Sequence, residues 1–523
     1  MKATHKVYNS ENVFVGYIVD NVFYNKLYSM RDIQNIENLY STKAGDIRVK
    51  RNSHLQTVTL NQLCTERYNK VCAEAPFVRD VRKEFAAWYK NYTKYVLYLK
   101  GPRQVGKTTE LLKFAYANYE NVLYVDLADK ATLDLFVATM MQPGSKIAQM
   151  QEFCKRYNLP QYDDSKKTLL IIDEIQVSSV VYSSLRILHR NLNCDIAVTG
   201  SYLGATINPE YFQPAGDTYD VELLPLSFRE FIRVFGKETV LNDVSIVGAS
   251  EDKLYSTLTE LYKLYLTIGG FPAVVLEYQL NKSLVQCRQM LKRLLERFIA
   301  ESAAYFEEGS KMRLVFQNVY KAAMLTQLTE KKGTGKDLTE RITQFIKTDT
   351  KTFVTRSEVN KAIAWLIYNG VLGTCDLYVD ADVKQIQFNR RCYFADTGIF
   401  SYLATIVPMQ ESDKKGLLAE TFVYNELRRM YSAVDSVVIG DKPACATYND
   451  YELDFVVHSV DGTRYGIEVK SKQATSTKSL DVMQQAHLID YAVVAELTHG
   501  SKNDKHITIP IYAVAEKFPY IES

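Results

Sequence analysis

The chain has 523 residues, 47% hydrophobic and 24% charged, with a net charge of +2. At roughly 150 residues per domain this length predicts three or four domains. The balanced charge excludes a global basic field that would draw the whole molecule onto nucleic acid, so DNA binding must come from local patches.

The first residues, MKATHKVYNSENVFVGYIVD, lack the basic-then-apolar layout of a secretory signal. No apolar run reaches the ~18 residues that a membrane helix needs, so a cytoplasmic protein with no membrane partner is expected. Residues 1–75 read as a small β-rich accessory module. NVFVGYIVDNVFY holds two β-branched and aromatic runs around Asp20 and Asn21, a hairpin signal. RDIQNIENLY then reads as a short helix. No chemical motif falls here, and contact with another protein is the expected role. The eight cysteines form no CxxC pair, which argues against structural zinc. They read as buried thiols in a reducing compartment.

Residues 76–235 change character. After the helical stretch VRKEFAAWYKNY come five apolar runs: YVLYLKG, NVLYVDLAD, TLLIIDEI, CDIAVTGS and TYDVELLPL, with helical stretches among them. Continuous rather than alternating apolar character predicts strands of a parallel sheet covered on both faces, an α/β domain. Residues 236–350 read as a helical lid or linker, broken at GGFP (269–272). The loop KKGTGKD does not read as a second phosphate loop, because no strand precedes it and its glycine spacing is wrong. Residues 351–400 read as a helix followed by a hairpin, the second half of a winged helix. Arg356, Ser357 and Lys361 near the start of that helix are candidates for a DNA groove. Its core-type residues Val359, Ala362, Ile363, Trp365 and Leu366 favour interdomain packing at least as much. Residues 401–523 open with the helix GLLAETFVYNELRRMY and continue as short strands, a second α/β unit.

Two motifs carry the expected chemistry. Gly101, Pro102, Arg103, Gln104, Val105, Gly106, Lys107 and Thr108 fit GxxxxGK[ST] between a strand and the helix that continues through Thr109. Backbone N–H groups of such a loop and the helix N-terminus cradle phosphates. Lys107 is expected at the β- and γ-phosphates of ATP, and Thr108 on Mg²⁺. TLLIIDEIQ supplies Asp173 as a second magnesium residue and Glu174 as the base for the attacking water. The alternative for Glu174 is a helix-capping carboxylate. Thr199 and Ser201, at the end of CDIAVTGS, read either as γ-phosphate sensors or as a capping turn.

GPRQVGKTT, LLIIDEIQ, VTGS, LLPLSFREF and GGFP, in this order, resemble a bacterial and archaeal family of AAA+-like ATPases. That family carries a C-terminal domain of uncharacterised function with a restriction-endonuclease-like fold. CYFADTGIFSYL and GLLAETFVYNELRR match it too, and the resemblance covers roughly residues 80–500. Where the family has Gly-Arg before the PLSF strand, this chain has Gly216-Asp217. If that arginine assists hydrolysis, Arg229 and Arg190 are the candidate substitutes. The family's acidic helix end is also altered, to FIAESAAYFEEG.

The C-terminal region holds Glu420 on a helix, Asp454 in YELDFVV, and Glu468 and Lys470 in GIEVKSK. Residues i and i+2 of a strand share a face, so Glu468 and Lys470 point the same way. The set resembles the PD-(D/E)XK nuclease core. Glu420, Asp454 and Glu468 would bind a metal ion and Lys470 would polarise the nucleophile or phosphate. Lys472 and Lys478 could hold phosphates. The alternative is a scaffold with surface charges. The expected function is thus Mg-dependent ATP hydrolysis coupled to a nuclease-like domain that acts on DNA. The second reading is a nucleotide switch or interaction protein with an inactive nuclease-like domain, and oligomers are compatible with both.

Overall fold

A computed structural model describes the strands between residues 5 and 59 by their backbone, and residues 77–517 except 158, 201–216, 246–250, 305, 307–308, 329–336, 350–352, 379–385, 408, 434–435 and 472–476. Strands β1 (His5–Tyr8), β2 (Phe14–Val19) and β3 (Val22–Asn25) form an antiparallel meander. Val19 of β2 pairs with Val22 of β3 in antiparallel register, while Asp20 and Asn21 of the hairpin signal lie outside the described residues. Strands β4 (Thr42–Lys43), β5 (Asp46–Arg51) and β6 (His54–Thr59) make a second antiparallel sheet. The short helix expected at RDIQNIENLY lies outside the described residues, as do most of the KKGTGKD loop, Ser201 and Lys472.

The five apolar runs become β7 (Val96–Lys100), β8 (Asn121–Asp126), β9 (Thr168–Asp173), β10 (Asp195–Thr199) and β11 (Thr218–Glu222). They form one sheet in the order β11-β7-β10-β9-β8, with every pairing parallel. The continuous apolar character has a direct cause. Leu169 and Ile171 of β9 face one hydrophobic cluster with Phe85, Trp88, Leu111 and Phe114 of two helices. Leu170 and Ile172 face the other, with Phe136, Phe153 and Leu185 of three more. Both faces are covered, so neither can be polar.

Helices Asp252–Ile268, Pro272–Asn281, Leu284–Ala304, Gly309–Leu328 and Leu338–Asp349 follow, as the helical reading expected. Helix Arg356–Tyr368 starts at a capping box of Thr355 and Glu358, then β12 (Leu372–Tyr378) and β13 (Ile386–Phe394) form the expected hairpin. The pairing then departs from a boundary at residue 400. β12 also pairs in parallel with β14 (Ala444–Tyr448), so the hairpin edges a single eight-stranded sheet. With β15 (Tyr451–His458), β16 (Arg464–Lys470), β17 (Tyr491–Glu496), β18 (Ser501–Lys502) and β19 (Ile507–Pro510), the order is β13-β12-β14-β15-β16-β17-β19-β18. Joining a further strand satisfies the backbone groups that a lone hairpin leaves exposed along its edge.

Three segments that sequence reading singled out separately meet at one junction. Leu226 N, from LLPLSF, donates to Gly270 O of GGFP at 2.8 Å. Tyr265 Oη donates to Leu226 O at 2.6 Å. Asp396, from ADTG, accepts from Ile399 N at 2.9 Å and so caps helix Thr397–Ile406. A β-carbon on Gly270 would sit 2.3 Å from Leu226 O, so only glycine fits. Phe422 of helix Glu411–Ser432 packs edge-on against Phe228, Tyr262 and Tyr265, binding the C-terminal region to the junction.

Candidate active site

The loop after β7 has the left-handed turns a phosphate cradle needs. Gly101 has φ 139°, Gln104 φ 64° and Gly106 φ 95°. A β-carbon on Gly101 would lie 2.0 Å from Leu223 O, so the loop runs against the end of β11 with no room for a side chain. Helix Lys107–Asn118 begins at the loop's end and directs its unpaired N–H groups toward it. Lys107 is buried, and its Nζ donates to Gly101 O and Pro102 O, both at 2.9 Å. Burial lowers its pKa to about 8, against the upward pull of Glu174 and Asp173.

Asp173 ends β9 beside the loop. Thr108 Oγ1 donates to its Oδ2 at 2.6 Å and Tyr124 Oη to the same oxygen at 2.9 Å, while Glu174 N donates to Oδ1 at 2.9 Å. Burial raises the Asp173 carboxyl to about 6, with Thr108 opposing and Glu174 and Asp126 adding to the rise. A buried carboxylate clasped by a threonine hydroxyl at the mouth of a phosphate loop fits a magnesium ion bound with nucleotide.

Glu174 has φ 53° and ψ 43°, a left-handed conformation that costs roughly 1–3 kcal/mol for a residue with a β-carbon. Its side chain makes no capping hydrogen bond, and Ser178 caps the helix that follows, so the capping alternative finds no support. Gln176 Nε2 donates to Glu174 Oε2. Arg103 Nη2 lies 3.5 Å from Glu174 Oε2, and its Nε lies 3.2 Å from Glu301 Oε2. Thr199 Oγ1 is fully buried at the carboxyl end of β10 and has no hydrogen-bond partner among the described residues.

The candidate arginines sit elsewhere. Asp217 O accepts from Val96 N at 3.0 Å, which puts Asp217 at the amino end of β7, the far edge of the sheet from the phosphate loop. β7 spans ~17 Å at ~3.3 Å per residue. Arg186 pairs with Asp217 at 3.4 Å, and Arg190 lines the same shallow cavity. Arg229 pairs with Glu516 at 2.6 Å and bonds Asn242 at 2.9 Å. Neither Arg190 nor Arg229 takes over the arginine role at this chain's own loop.

Two contributors carry no local signal in the sequence. Arg79 is buried, donating to Val105 O at 2.9 Å and to Leu224 O at 2.6 Å while pairing with Glu230 at 3.0 Å. It thereby ties the loop to the PLSF segment. Burial works to raise the Glu230 carboxyl, but Arg79, Arg429 and two backbone N–H groups outweigh it and hold the pKa below the usual range. The other contributor is Glu301, brought to the loop by helix Leu284–Ala304.

In the C-terminal sheet, β15 and β16 pair antiparallel with Phe455 opposite Ile467, which brings Asp454 beside Glu468. Asp454 Oδ2 accepts from Val469 N at 2.8 Å, and Lys470 Nζ donates to Glu468 Oε1 at 2.7 Å. Burial raises both carboxyls, opposed by Arg391 at Asp454 and by Lys470 at Glu468. Asp454, Glu468 and Lys470 are therefore brought together, as the strand pattern predicted. The metal set expected of Glu420, Asp454 and Glu468 is not formed: among the described residues no group of three or more His, Cys, Asp or Glu side chains is placed to hold a metal ion. Lys478 Nζ lies 5.4 Å over the Tyr451 ring. Arg356 pairs with Asp337, and Ser357 and Lys361 are exposed. The five core-type residues of that helix are all buried, and Gly370 just beyond it packs on Pro102 of the phosphate loop, in line with a packing role.

The parallel sheet and the loop that follows β7 are those of a P-loop NTPase-like domain. Residues 93–232 match the family described as an AAA domain. Residues 259–410 and 415–514 match two families each described as a domain of unknown function, DUF8612 and DUF4143. An uncharacterized protein of Haemophilus influenzae is 26% identical over 192 residues, covering 35% of this chain and 41% of its own length. The alignment thus spans about two-fifths of that curated relative. Among solved structures, the Aeropyrum pernix ORC1 protein in complex with DNA is 11% identical at a TM-score of 0.27, covering 63% of this chain and 93% of its own. Cdc6p from Pyrobaculum aerophilum is 12% identical at 0.23, covering 68% and 98%. The Thermotoga maritima RuvB Holliday junction branch migration motor is 14% identical at 0.25, covering 59% and 89%. At these TM-scores the likenesses carry no functional argument. Among the described residues, no helix is long and apolar enough to cross a membrane.

Proposed function

We propose that the chain binds Mg-ATP in the loop Gly101–Thr108, with Thr109 just behind it, and hydrolyses it with Glu174 as base. The observation that carries this reading is the clasp of Thr108 on Asp173, 2.6 Å apart, beside a buried lysine on the loop's own carbonyls. Lys107 leaves those carbonyls for the phosphates. Thr108 and Asp173 hold the magnesium ion, which when bound neutralises charge on the phosphate oxygens. Thr199 donates its buried hydroxyl toward the terminal phosphate. Glu174 orients a water and takes its proton as the water oxygen bonds to the γ-phosphorus and the bond from phosphorus to the β–γ bridging oxygen breaks, leaving ADP and inorganic phosphate. Glu174→Gln tests this: it should bind ATP yet turn over at least ~100-fold more slowly, the scale of a lost general base. Wild-type turnover in that variant would remove Glu174 from the role.

The ATPase unit (76–235) is read as coupled, through the helical region, to the C-terminal domain. Of the two readings for that domain, a nucleotide-dependent switch is favoured over a working nuclease. Lys470 already neutralises Glu468, Asp454 is engaged by a backbone N–H, and among the described residues no three such side chains are placed to hold a metal ion. Calorimetric titration with Mn²⁺ separates them. Binding that is lost in Asp454→Asn would restore the nuclease reading and make DNA its expected substrate. The N-terminal sheets are read as a protein-contact module.

A further inference from the structure

Arg103 stands in the phosphate loop, yet two ion pairs of its guanidinium reach away from it. One reaches Glu174 and the other reaches Glu301 near the end of helix Leu284–Ala304. Glu301 is tied to the whole cationic set. Burial raises its carboxyl and Glu174 adds to the rise, while Arg103, Arg297 and Lys107 oppose it. The loop's mouth therefore holds three carboxylates, Asp173, Glu174 and Glu301, against Lys107 and Arg103.

A triphosphate brings several more negative charges to this mouth. A guanidinium prefers the bidentate geometry of phosphate oxygens, and the loop fixes the backbone of Arg103 next to them. Glu174, for its part, must be released from Arg103 to accept a proton from water. We propose that Arg103 passes from Glu174 and Glu301 to the γ-phosphate when ATP binds, and that Glu301 is the positioning residue that holds it off the phosphate site until then. The inference rests on the ATP reading above and adds what that reading lacks, a contact by which the helical region senses the γ-phosphate. ADP ends at the β-phosphate and does not draw Arg103 away, so helix Leu284–Ala304 stays pinned to the loop with ADP and is freed with ATP.

The test is calorimetry on the full chain with Mg-ATP and Mg-ADP. Glu301→Gln removes the competing carboxylate and is expected to tighten ATP about three- to tenfold, the effect of one partly solvated charge, with ADP changed less than about twofold. Arg103→Met should weaken ATP but not ADP, and Glu301→Gln should add no gain in the Arg103→Met background. Glu296→Gln, on the exposed pair with Lys292 of the same helix, is the control and should change neither. If Glu301→Gln fails to fold, Glu301→Asp keeps the charge on a shorter arm and should tighten ATP by a smaller factor. Equal shifts for ATP and ADP, no shift for either, or a gain that persists without Arg103 overturns the inference while the ATP reading stands. A wild-type chain that binds neither nucleotide overturns both.

Discussion

Gly270 N donates to Asp396 Oδ2 at 2.7 Å, joining the break after helix Asp252–Ile268 to the start of helix Thr397–Ile406. The other carboxylate oxygen accepts from Ile399 N, so one buried side chain satisfies two orphan backbone donors from different segments. Asp396→Asn turns one acceptor into a donor facing an N–H. The expected loss is ~1–3 kcal/mol of stability, the cost of an unsatisfied buried donor. Urea unfolding checks it, and an unchanged midpoint would show that the junction contributes nothing.

Glu426 is buried on helix Glu411–Ser432 and accepts from Phe228 N at 3.3 Å. Burial raises its carboxyl to about 7, with Arg429 opposing. The folded chain therefore holds this proton more tightly than the unfolded chain. The associated stability is fully present below the unfolded value near 4.5 and is lost as pH rises through 7. Glu426→Gln keeps an oxygen for Phe228 N and carries no proton to lose. Its Tm should fall less than the wild type's between pH 5 and 8, over about that window. Parallel pH profiles for the two chains would refute this.

Arg79 anchors Val105 O and Leu224 O and balances Glu230. Arg79→Met leaves Glu230 buried without its main partner, so a loss of ~3–5 kcal/mol of stability is expected. The double variant Arg79→Met with Glu230→Gln should recover part of that loss, because no bare carboxylate remains. Additive losses in thermal unfolding would exclude this coupling.

Lys107→Ala should abolish measurable ATP binding by calorimetry while leaving the Tm within a few degrees. The lysine's amine donates to two loop carbonyls, which can turn to water once the amine is gone. Unchanged affinity would move the nucleotide away from this loop.

The parallel sheet, the glycine loop after β7 and the place of Asp173 and Glu174 at the end of β9 were legible in the sequence because each depends on neighbours in the chain. A strand buried on both faces must be apolar throughout. A loop that wraps phosphates needs glycine where φ turns positive, as at Gly101 and Gly106. The antiparallel pairing of β2 with β3 was legible for a similarly local reason, two β-branched and aromatic runs close together in the chain.

What only the tertiary structure decided depends on approach between distant segments. Arg79 and Glu301 act on the loop from residues that carry no motif, because a buried ion pair is set by which helices pack together and leaves no spacing to read. Arg190 and Arg229 looked equivalent in the sequence, yet sheet direction put one at the amino edge and an ion pair with Glu516 claimed the other. GGFP and ADTG read as separate marks, and folding made them partners in one hydrogen bond. The strand period set Glu468 and Lys470 on one face, but whether Glu420 reached them depended on how a long helix docked on the sheet, and that is fixed by the packing of Phe422 and Tyr424 rather than by the glutamate.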